Sequence, residues 1–217
     1  MSDFEAMREQ RARQAVRNLS KAHPRMRAII KSVGPHRPNT NPNAFATLVD
    51  SIASQQVSMH AAAAILRRLT DACPRKRVTP AALSAMSIDE LRGVGLSRQK
   101  ASYLHDLAEH FATRRVSGPK LKRLDDEAVI ESVTRIRGVG RWTAEMLLMF
   151  CLERPDVWPI DDLGLRKAVM RFHEYPEMPG AAVMREAGEI FRPFRSYASW
   201  YLWRSLEGPL MPGIRID

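Results

Sequence analysis

The spacing of apolar residues along the chain is that of helices rather than strands. Two segments place apolar residues along one face of a 3.6-residue repeat: Phe45, Leu48, Val49 and Ile52, and later Val129, Ile130, Val133 and Ile136. Convincing strand alternation is absent from the sequence. The pattern predicts an all-α fold.

Polar residues mark where several of these helices should begin. Thr79 before Pro80 has the order of an N-cap followed by proline at the first helical position, and Ser87 with Glu90 has capping-box spacing. Ser97 can cap the segment that follows it. Residues 34–43, "GPHRPNTNPN", are rich in proline and asparagine and predict a linker after a basic N-terminal helix pair.

Composition narrows the class of protein. The chain has 217 residues, of which 45% are hydrophobic, enough for a packed core, and its formal net charge is +10. So large a positive charge favours a polyanionic partner, with nucleic acid ahead of an anionic membrane surface. Two cysteines are too few for a disulfide framework, so we expect reduced core thiols at Cys73 and Cys151. The sequence shows no signal peptide or membrane span, and we expect an intracellular protein.

A short motif occurs twice, as "LRGVG" at 91–95 and "IRGVG" at 136–140. One interpretation is a tight turn in which Gly93 or Gly138 adopts a positive φ and the second glycine lets the next helix pack closely. This interpretation is favoured for the first copy. The second copy leads directly into Arg141 and Thr143, so its backbone N–H groups at a helix N-terminus suit a phosphate.

Four segments together resemble the helix-hairpin-helix DNA glycosylases, and specifically the 3-methyladenine DNA glycosylase II (AlkA) type. They are "FATLVDSIASQQVSMHAAAAI" (45–65), "IRGVGRWTAEM" (136–146), "VWPIDDLGLRKAV" (157–169) and "FRPFRSYASWYLW" (191–203). The resemblance implies two helical lobes with a cleft between them, in a short form without an N-terminal α/β domain. It divides the chain into basic N-terminal helices (1–40) packing with the C-terminal lobe, a central lobe ending in the hairpin (41–143), and a C-terminal lobe (144–217).

The resemblance also assigns roles around the hairpin. Bifunctional members carry a lysine nucleophile where this chain has Trp142, and an indole cannot form a Schiff base. Trp142 would instead stack on an electron-poor base, although packing into the core is the alternative. The remaining pocket positions correspond to Met146, Leu163 and Phe194. Farther along the last segment, Tyr197, Trp200 and Trp203 have the helical spacing of core residues.

The catalytic role falls on the carboxylate pair Asp161–Asp162. An Asp-Asp pair is commonly a helix cap, but the resemblance places the catalytic aspartate at Asp162 and leaves Asp161 as the cap of the next helix. Cleavage of an N-glycosidic bond builds positive charge on the sugar, which a nearby carboxylate stabilises while it orients water. An alkylated base is already cationic and leaves without protonation.

The DNA contacts implied by the resemblance lie in two segments. The hairpin would grip a backbone phosphate through Gly138, Val139, Gly140, Arg141 and Thr143, and the earlier segment contributes Gln56 and Ser58. Gln56 would fill the gap left by the flipped nucleotide, the alternative being that Gln55 and Gln56 face solvent. No cofactor is expected beyond a structural Na⁺ or K⁺ held by the backbone carbonyls of Thr134, Ile136 and Val139.

The sequence thus predicts a monofunctional DNA glycosylase that removes alkylated bases such as 3-methyladenine and leaves an abasic site. Its partner would be damaged double-stranded DNA and not a membrane, and we expect a monomer in a bacterial-type cytoplasm, associated with the nucleoid. Two alternatives stay open: a glycosylase for oxidised, deaminated or mismatched bases, and a non-catalytic helix-hairpin-helix module that binds DNA.

Overall fold

A computed structural model describes residues 3–207 and contains helices and no strand in that range. The prediction of an all-α fold is confirmed. No helix in this part of the chain is long and apolar enough to cross a membrane. The helices are α1 (Asp3–Ala22), α2 (Pro24–Val33), α3 (Ala44–Ser54), α4 (Met59–Ala72), α5 (Pro80–Ala85), α6 (Ile88–Gly93), α7 (Arg98–Ala112), α8 (Gly118–Arg123), α9 (Asp126–Thr134), α10 (Arg141–Phe150), α11 (Leu163–His173), α12 (Ala181–Glu189) and α13 (Arg195–Glu207), with a 3₁₀ turn at Pro74–Lys76.

The predicted capping residues mark the starts of α5, α6 and α7. Thr79 and Ser97 accept hydrogen bonds from the backbone at the starts of α5 and α7, and Ser87 forms a complete capping box with Glu90 at α6. Residues 34–43 lie outside helices and connect α2 to α3, as predicted for the linker.

The two glycine motifs differ in conformation, which the shared letters did not predict. Gly93 is the last residue of α6, and Gly95 has the positive φ, of 104°. In the second motif Gly138 has the positive φ, of 81°. The expectation for Gly93 is therefore wrong, because α6 continues through it and the chain reverses two residues later.

The chain divides into two compact units. The terminal unit joins the residues up to Asn39 with those from Arg154 onward, and the central unit runs from Thr40 to Glu153. The second boundary lies after residue 153, whereas the resemblance placed it after 143. The reason is local: α10 continues without a break from Arg141 to Phe150, so the hairpin and the helix that follows it belong to one unit.

Each unit has its own apolar core. The terminal unit packs α1, α2, α11, α12 and α13 around large buried side chains that include Leu19, Met26, Phe191 and Tyr201. The central unit buries the two predicted stripes, Phe45, Leu48, Val49 and Ile52 on α3, and Val129, Ile130, Val133 and Ile136 at α9 and its end. Cys73 and Cys151 are free and buried, as expected, and burial raises the pKa of both thiols.

Candidate functional site

The hairpin is a tight turn between α9 and α10 in the central unit. Gly138 cannot be replaced there, because its φ of 81° disfavours any side chain and a Cβ would lie 2.1 Å from the ring of Tyr103 on α7. The Val139 N–H donates to the carbonyl of Ile136 at 3.1 Å, which closes the turn. The backbone therefore reverses direction in contact with the Tyr103 ring.

Gly140 differs from Gly138, because no contact in the described part of the chain requires a glycine there. Its φ is −91°, which any residue adopts, and a Cβ would meet no atom within 4 Å. The expectation that the second glycine permits close helix packing is therefore wrong. Gly140 is the N-cap of α10 and makes no side-chain cap, so its open backbone leads into a helix N-terminus that can accept an anion.

The side chains of the hairpin do not all take the roles predicted for them. Val139 and Thr143 are buried, with 4% and 3% exposure, so any contact to DNA there comes from the backbone. Arg141 forms two hydrogen bonds to Glu127 at 2.6 and 3.1 Å and one to Glu145 at 3.3 Å. The bond from Arg141 lowers the pKa of the Glu127 carboxyl. Arg141 thus joins α9 to α10 through ion pairs, and its contact with a phosphate stays a prediction.

The junction between α3 and α4 is tied to the hairpin. Gln55 donates from Nε2 to the carbonyl of Gly138 at 2.8 Å, so the alternative in which both glutamines face solvent is wrong. Lys100 on α7 donates from Nζ to the carbonyls of Ala53 and Gln55, at 2.8 and 2.5 Å, which caps the end of α3. Burial lowers the pKa of Lys100.

Beyond Gln55, the polar residues Gln56 and Ser58 lie at the surface. Gln56 is exposed and has a positive φ of 54°, which turns the chain sharply between the helices. Ser58 is exposed too, and it caps α4 by accepting the N–H of Ala61. The position of Gln56 leaves its side chain available to an external partner.

The four residues assigned to a base pocket separate into exposed and buried positions. Trp142 is 43% exposed at the start of α10, so the alternative of a core tryptophan is wrong, and Met146 lies half-buried one turn later. In the terminal unit Leu163 is 56% exposed. Phe194, in contrast, is 6% exposed and belongs to the apolar core of that unit, so it does not form the pocket wall that the resemblance implied.

Asp162 is held at the start of α11 by two donors. Its Oδ1 accepts the N–H of Leu165 at 2.6 Å and the indole N–H of Trp203 on α13 at 2.8 Å. Gly164 permits this approach, because a Cβ there would lie 3.1 Å from Oδ1 and 3.3 Å from the Trp203 ring. The carboxylate is therefore fixed in orientation from two directions.

Two expectations about this region need correction. Asp162 itself is the N-cap of α11, and Asp161 is exposed, so the assignment of the cap to Asp161 is wrong. Trp203 does pack against the core, but it also orients Asp162. The sequence did not predict this role. The only hint in the sequence was that Trp203 lies one helical turn after Trp200, a residue that already packs against the core. Tyr197 and Trp200 pack against the core as predicted.

Comparison with known proteins identifies this arrangement. The sequence model of the HhH-GPD superfamily of base excision DNA repair proteins matches residues 49–193, a range that includes the hairpin, Trp142 and Asp162. The chain belongs to this superfamily.

Individual HhH-GPD relatives cover most of the chain. A Schizosaccharomyces pombe protein named DNA-3-methyladenine glycosylase 1 is 35% identical over 193 residues, which cover 87% of this chain and 85% of the relative. A solved structure of the Schizosaccharomyces pombe 3-methyladenine DNA glycosylase in complex with abasic DNA superposes with a TM-score of 0.84 at 33% identity, covering 92% of this chain and all of that one. The DNA-3-methyladenine glycosidase of Bacillus halodurans gives a TM-score of 0.80 at 32% identity, with 88% of each chain covered.

Proposed function

We propose that the protein is a DNA glycosylase of base excision repair that removes alkylated bases of the 3-methyladenine type. The observation that carries the proposal is the carboxylate of Asp162, oriented by the Leu165 and Trp203 N–H groups within a chain of the HhH-GPD superfamily. The relatives named as 3-methyladenine glycosylases support the substrate class.

Asp162 performs the chemistry in this proposal. As the base departs, positive charge develops on the sugar, and a fixed carboxylate stabilises that charge more than a mobile one, because its orientation is already set. Water oriented by the carboxylate then completes the hydrolysis.

DNA binding is assigned to the central unit. The open backbone at Gly140 and the N-terminus of α10 suit a backbone phosphate, and exposed Gln56 suits the gap left by a flipped nucleotide. Trp142 offers an exposed aromatic face to a cationic alkylated base, an interaction worth about 0.5 to 2 kcal/mol. We propose that the protein acts as a monomer, which sedimentation of the DNA complex would test.

The activity is further proposed to stop at the abasic site. Trp142 occupies the position at which bifunctional members carry their lysine, and an indole provides no amine for a Schiff base. The product strand is therefore expected to stay intact until alkali is added.

The carbonyls of Thr134, Ile136 and Val139 are proposed to hold a structural Na⁺ or K⁺. All three belong to the end of α9 and the turn, and the Ile136 carbonyl accepts one hydrogen bond, which leaves a second lone pair for an ion. An ion there would fix the turn without taking part in the reaction. DNA binding measured in K⁺ and in a bulky organic cation at equal ionic strength would test it.

The decisive experiment incubates the protein with duplexes that each carry one lesion: 3-methyladenine, 8-oxoguanine, uracil or a mismatch. Released base is measured directly, and the strands are examined before and after alkali. We expect release of the alkylated base. The strand should break only after alkali is added, and borohydride should trap no covalent adduct. Release of another base in preference would reassign the substrate, a trapped adduct would overturn the monofunctional assignment, and binding without any release would indicate a DNA-binding module.

A further inference from the structure

A depression lined by two arginines lies beside the hairpin in the central unit. It is a depression of about 440 Å³ between α6, α7 and the turn, lined by Ile88, Asp89, Arg98, Ser102, His105 and Arg137. Five of these six side chains carry a polar or charged group that can bind an anion or a hydrogen-bonding partner. Arg137 directly precedes Gly138, so the depression adjoins the hairpin along the chain.

Arg137 is held in position by Asp106 and keeps unused N–H donors on its guanidinium. Asp106 accepts its Nε at 3.1 Å and its backbone N–H at 2.8 Å, which holds both the side chain and the turn in place. Among the described residues, the two terminal nitrogens of its guanidinium have no hydrogen-bond partner. A guanidinium anchored in this way can offer two parallel donors to an anion with little loss of side-chain freedom.

Arg98 supplies a second guanidinium, and within residues 3–207 this one has no carboxylate partner. It is exposed at the first position of α7, and within residues 3–207 its side chain makes no hydrogen bond or ion pair. A cation at a helix N-terminus opposes the helix dipole, so this placement costs stability in the free protein and strengthens the attraction for an anion.

The other polar groups of the depression do not cancel this charge. Asp89 is paired with Arg92 at 3.1 Å, and His105 uses Nε2 on the carbonyl of Met86 at 2.7 Å. Ser102 lies one turn after Arg98 on α7 and adds a hydroxyl. Arg92 thus balances Asp89 and Asp106 balances Arg137, which leaves the charge of Arg98 unbalanced in this depression.

We propose that this depression binds a second backbone phosphate of the DNA duplex, through Arg98 and the terminal nitrogens of Arg137. The inference rests on the proposed function, and it extends the DNA contact from the hairpin along the face of α7 that carries Arg98 and Ser102. The contact is to the phosphate, so it strengthens binding to damaged and undamaged DNA alike and leaves the chemical step unchanged.

The test compares Arg98→Gln with Arg77→Gln, a matched loss of charge. Arg77 is exposed and follows the far end of α4, whose fourteen residues span about 21 Å from Ser58. Binding to an undamaged duplex is measured across a salt series. Arg98→Gln should reduce the slope of log K against log salt by about 0.9, so that its loss of affinity is about 3.5-fold larger at 50 mM salt than at 200 mM. Arg77→Gln should match the wild type.

A second arm identifies the phosphate. Single phosphates of the duplex are replaced in turn by neutral methylphosphonates. One replacement should weaken the wild type and leave Arg98→Gln unaffected, because the variant has already lost that contact. The rate of base release with DNA saturated by enzyme should be the same for both proteins.

Three results would each overturn the inference. The first is an equal salt slope for Arg98→Gln and Arg77→Gln, and the second is that no methylphosphonate position distinguishes Arg98→Gln from the wild type. The third is competition by millimolar inorganic phosphate, which would indicate a site for a free anion. Gly140→Leu separates these results from failure of the proposed function. If that hairpin variant loses DNA binding while Arg98→Gln does not, the glycosylase proposal stands and the second phosphate site fails. If neither variant affects binding, the proposed DNA-binding surface fails as well.

Discussion

At the scale of single residues, one side chain combines an observed structural role with a proposed chemical one. Asp162 caps α11 and is also the group to which we assign the chemistry. These tasks separate experimentally, because an amide oxygen can cap a helix and accept the Trp203 N–H without carrying charge. The adjacent Asp161 provides a control with the same chemistry at an exposed position.

We predict that Asp162→Asn lowers the rate of base release by at least about a hundredfold, since it removes the charge that stabilises the transition state. Its thermal stability should stay close to that of the wild type, because asparagine is as good an N-cap as aspartate. Single-turnover excision and thermal unfolding measure the two effects. Asp161→Asn should retain near-normal rates, and an equal loss in both variants would show that the catalytic role is misplaced.

Trp203→Phe removes the indole N–H from Asp162 while keeping most of the aromatic packing. A hydrogen bond to a charged group contributes about 1.5 to 3 kcal/mol, so we expect excision to slow by about ten- to a hundredfold. DNA affinity should not change, because Trp203 belongs to the terminal unit, whereas the proposed DNA contacts belong to the central unit. Single-turnover rates and binding curves distinguish these outcomes, and a loss of affinity alone would contradict the positioning role.

At the scale of elements, the hairpin is held by contacts from two other helices and by one ion pair between its own two helices. Tyr103 of α7 walls the turn at Gly138, Gln55 at the end of α3 holds the Gly138 carbonyl, and Arg141 joins α10 to Glu127 of α9. The two glycines of the hairpin therefore have different reasons to be glycine. Gly138 is required by the packing of the turn against Tyr103, whereas Gly140 has open space around it, and we assign its role to the proposed phosphate contact.

This difference predicts that Gly138→Ala affects mainly stability, whereas Gly140→Leu affects mainly DNA binding. Gly138→Ala should destabilise the protein by several kcal/mol, because about 1 to 3 kcal/mol of backbone strain adds to the clash with Tyr103. Gly140→Leu should unfold near the wild-type temperature and yet bind damaged and undamaged duplexes more weakly to a similar extent. Chemical denaturation and binding assays check both. A Gly140→Leu variant with normal affinity would remove the phosphate from the hairpin.

Gln55 and Gln56 give a second pair of neighbours with different roles. Gln55→Ala releases the Gly138 carbonyl, so it should weaken binding to every duplex. Gln56→Ala leaves the turn intact and should reduce excision and lesion affinity more than affinity for undamaged DNA. Parallel binding measurements on lesioned and normal duplexes test this, and the reverse pattern would exchange the two roles.

At the scale of the whole molecule, the terminal unit is assembled from both ends of the chain. The first part of the linker packs into this unit at Gly34 and His36. The carbonyl of Gly34 accepts a hydrogen bond from the hydroxyl of Tyr201 at 3.1 Å. The His36 ring lies 4.4 Å from that of Tyr197 and 4.7 Å from that of Trp200, measured between centroids. Burial, aided by the positive charge of Arg8, lowers the pKa of His36 to about 4.

The lowered pKa predicts how stability depends on pH. Because the folded pKa of about 4 lies below the ordinary 6.5, unfolding takes up a proton between these values. The contribution is complete above pH 6.5 and is lost as pH falls to about 4, by at most about 3 kcal/mol. Denaturant unfolding at pH 7 and pH 5 should show a smaller fall for His36→Phe than for the wild type. His23 and His173, whose pKa values are also lowered by burial, account for part of the remaining fall.

The sequence by itself determined what depends on neighbours within a turn of the chain. The caps at Thr79, Ser87 and Ser97, the linker at 34–43 and the all-α class followed from hydrogen bonds between residues three or four apart and from apolar spacing. The tertiary structure decided what depends on distant partners. Trp203 meets Asp162 across 41 positions and Gln55 meets Gly138 across 83, and no local pattern encodes which helix packs against which. For the same reason Arg141 is paired with Glu127, Phe194 is buried and Gly95 reverses the chain, because packing selects among conformations that the local sequence leaves equally accessible.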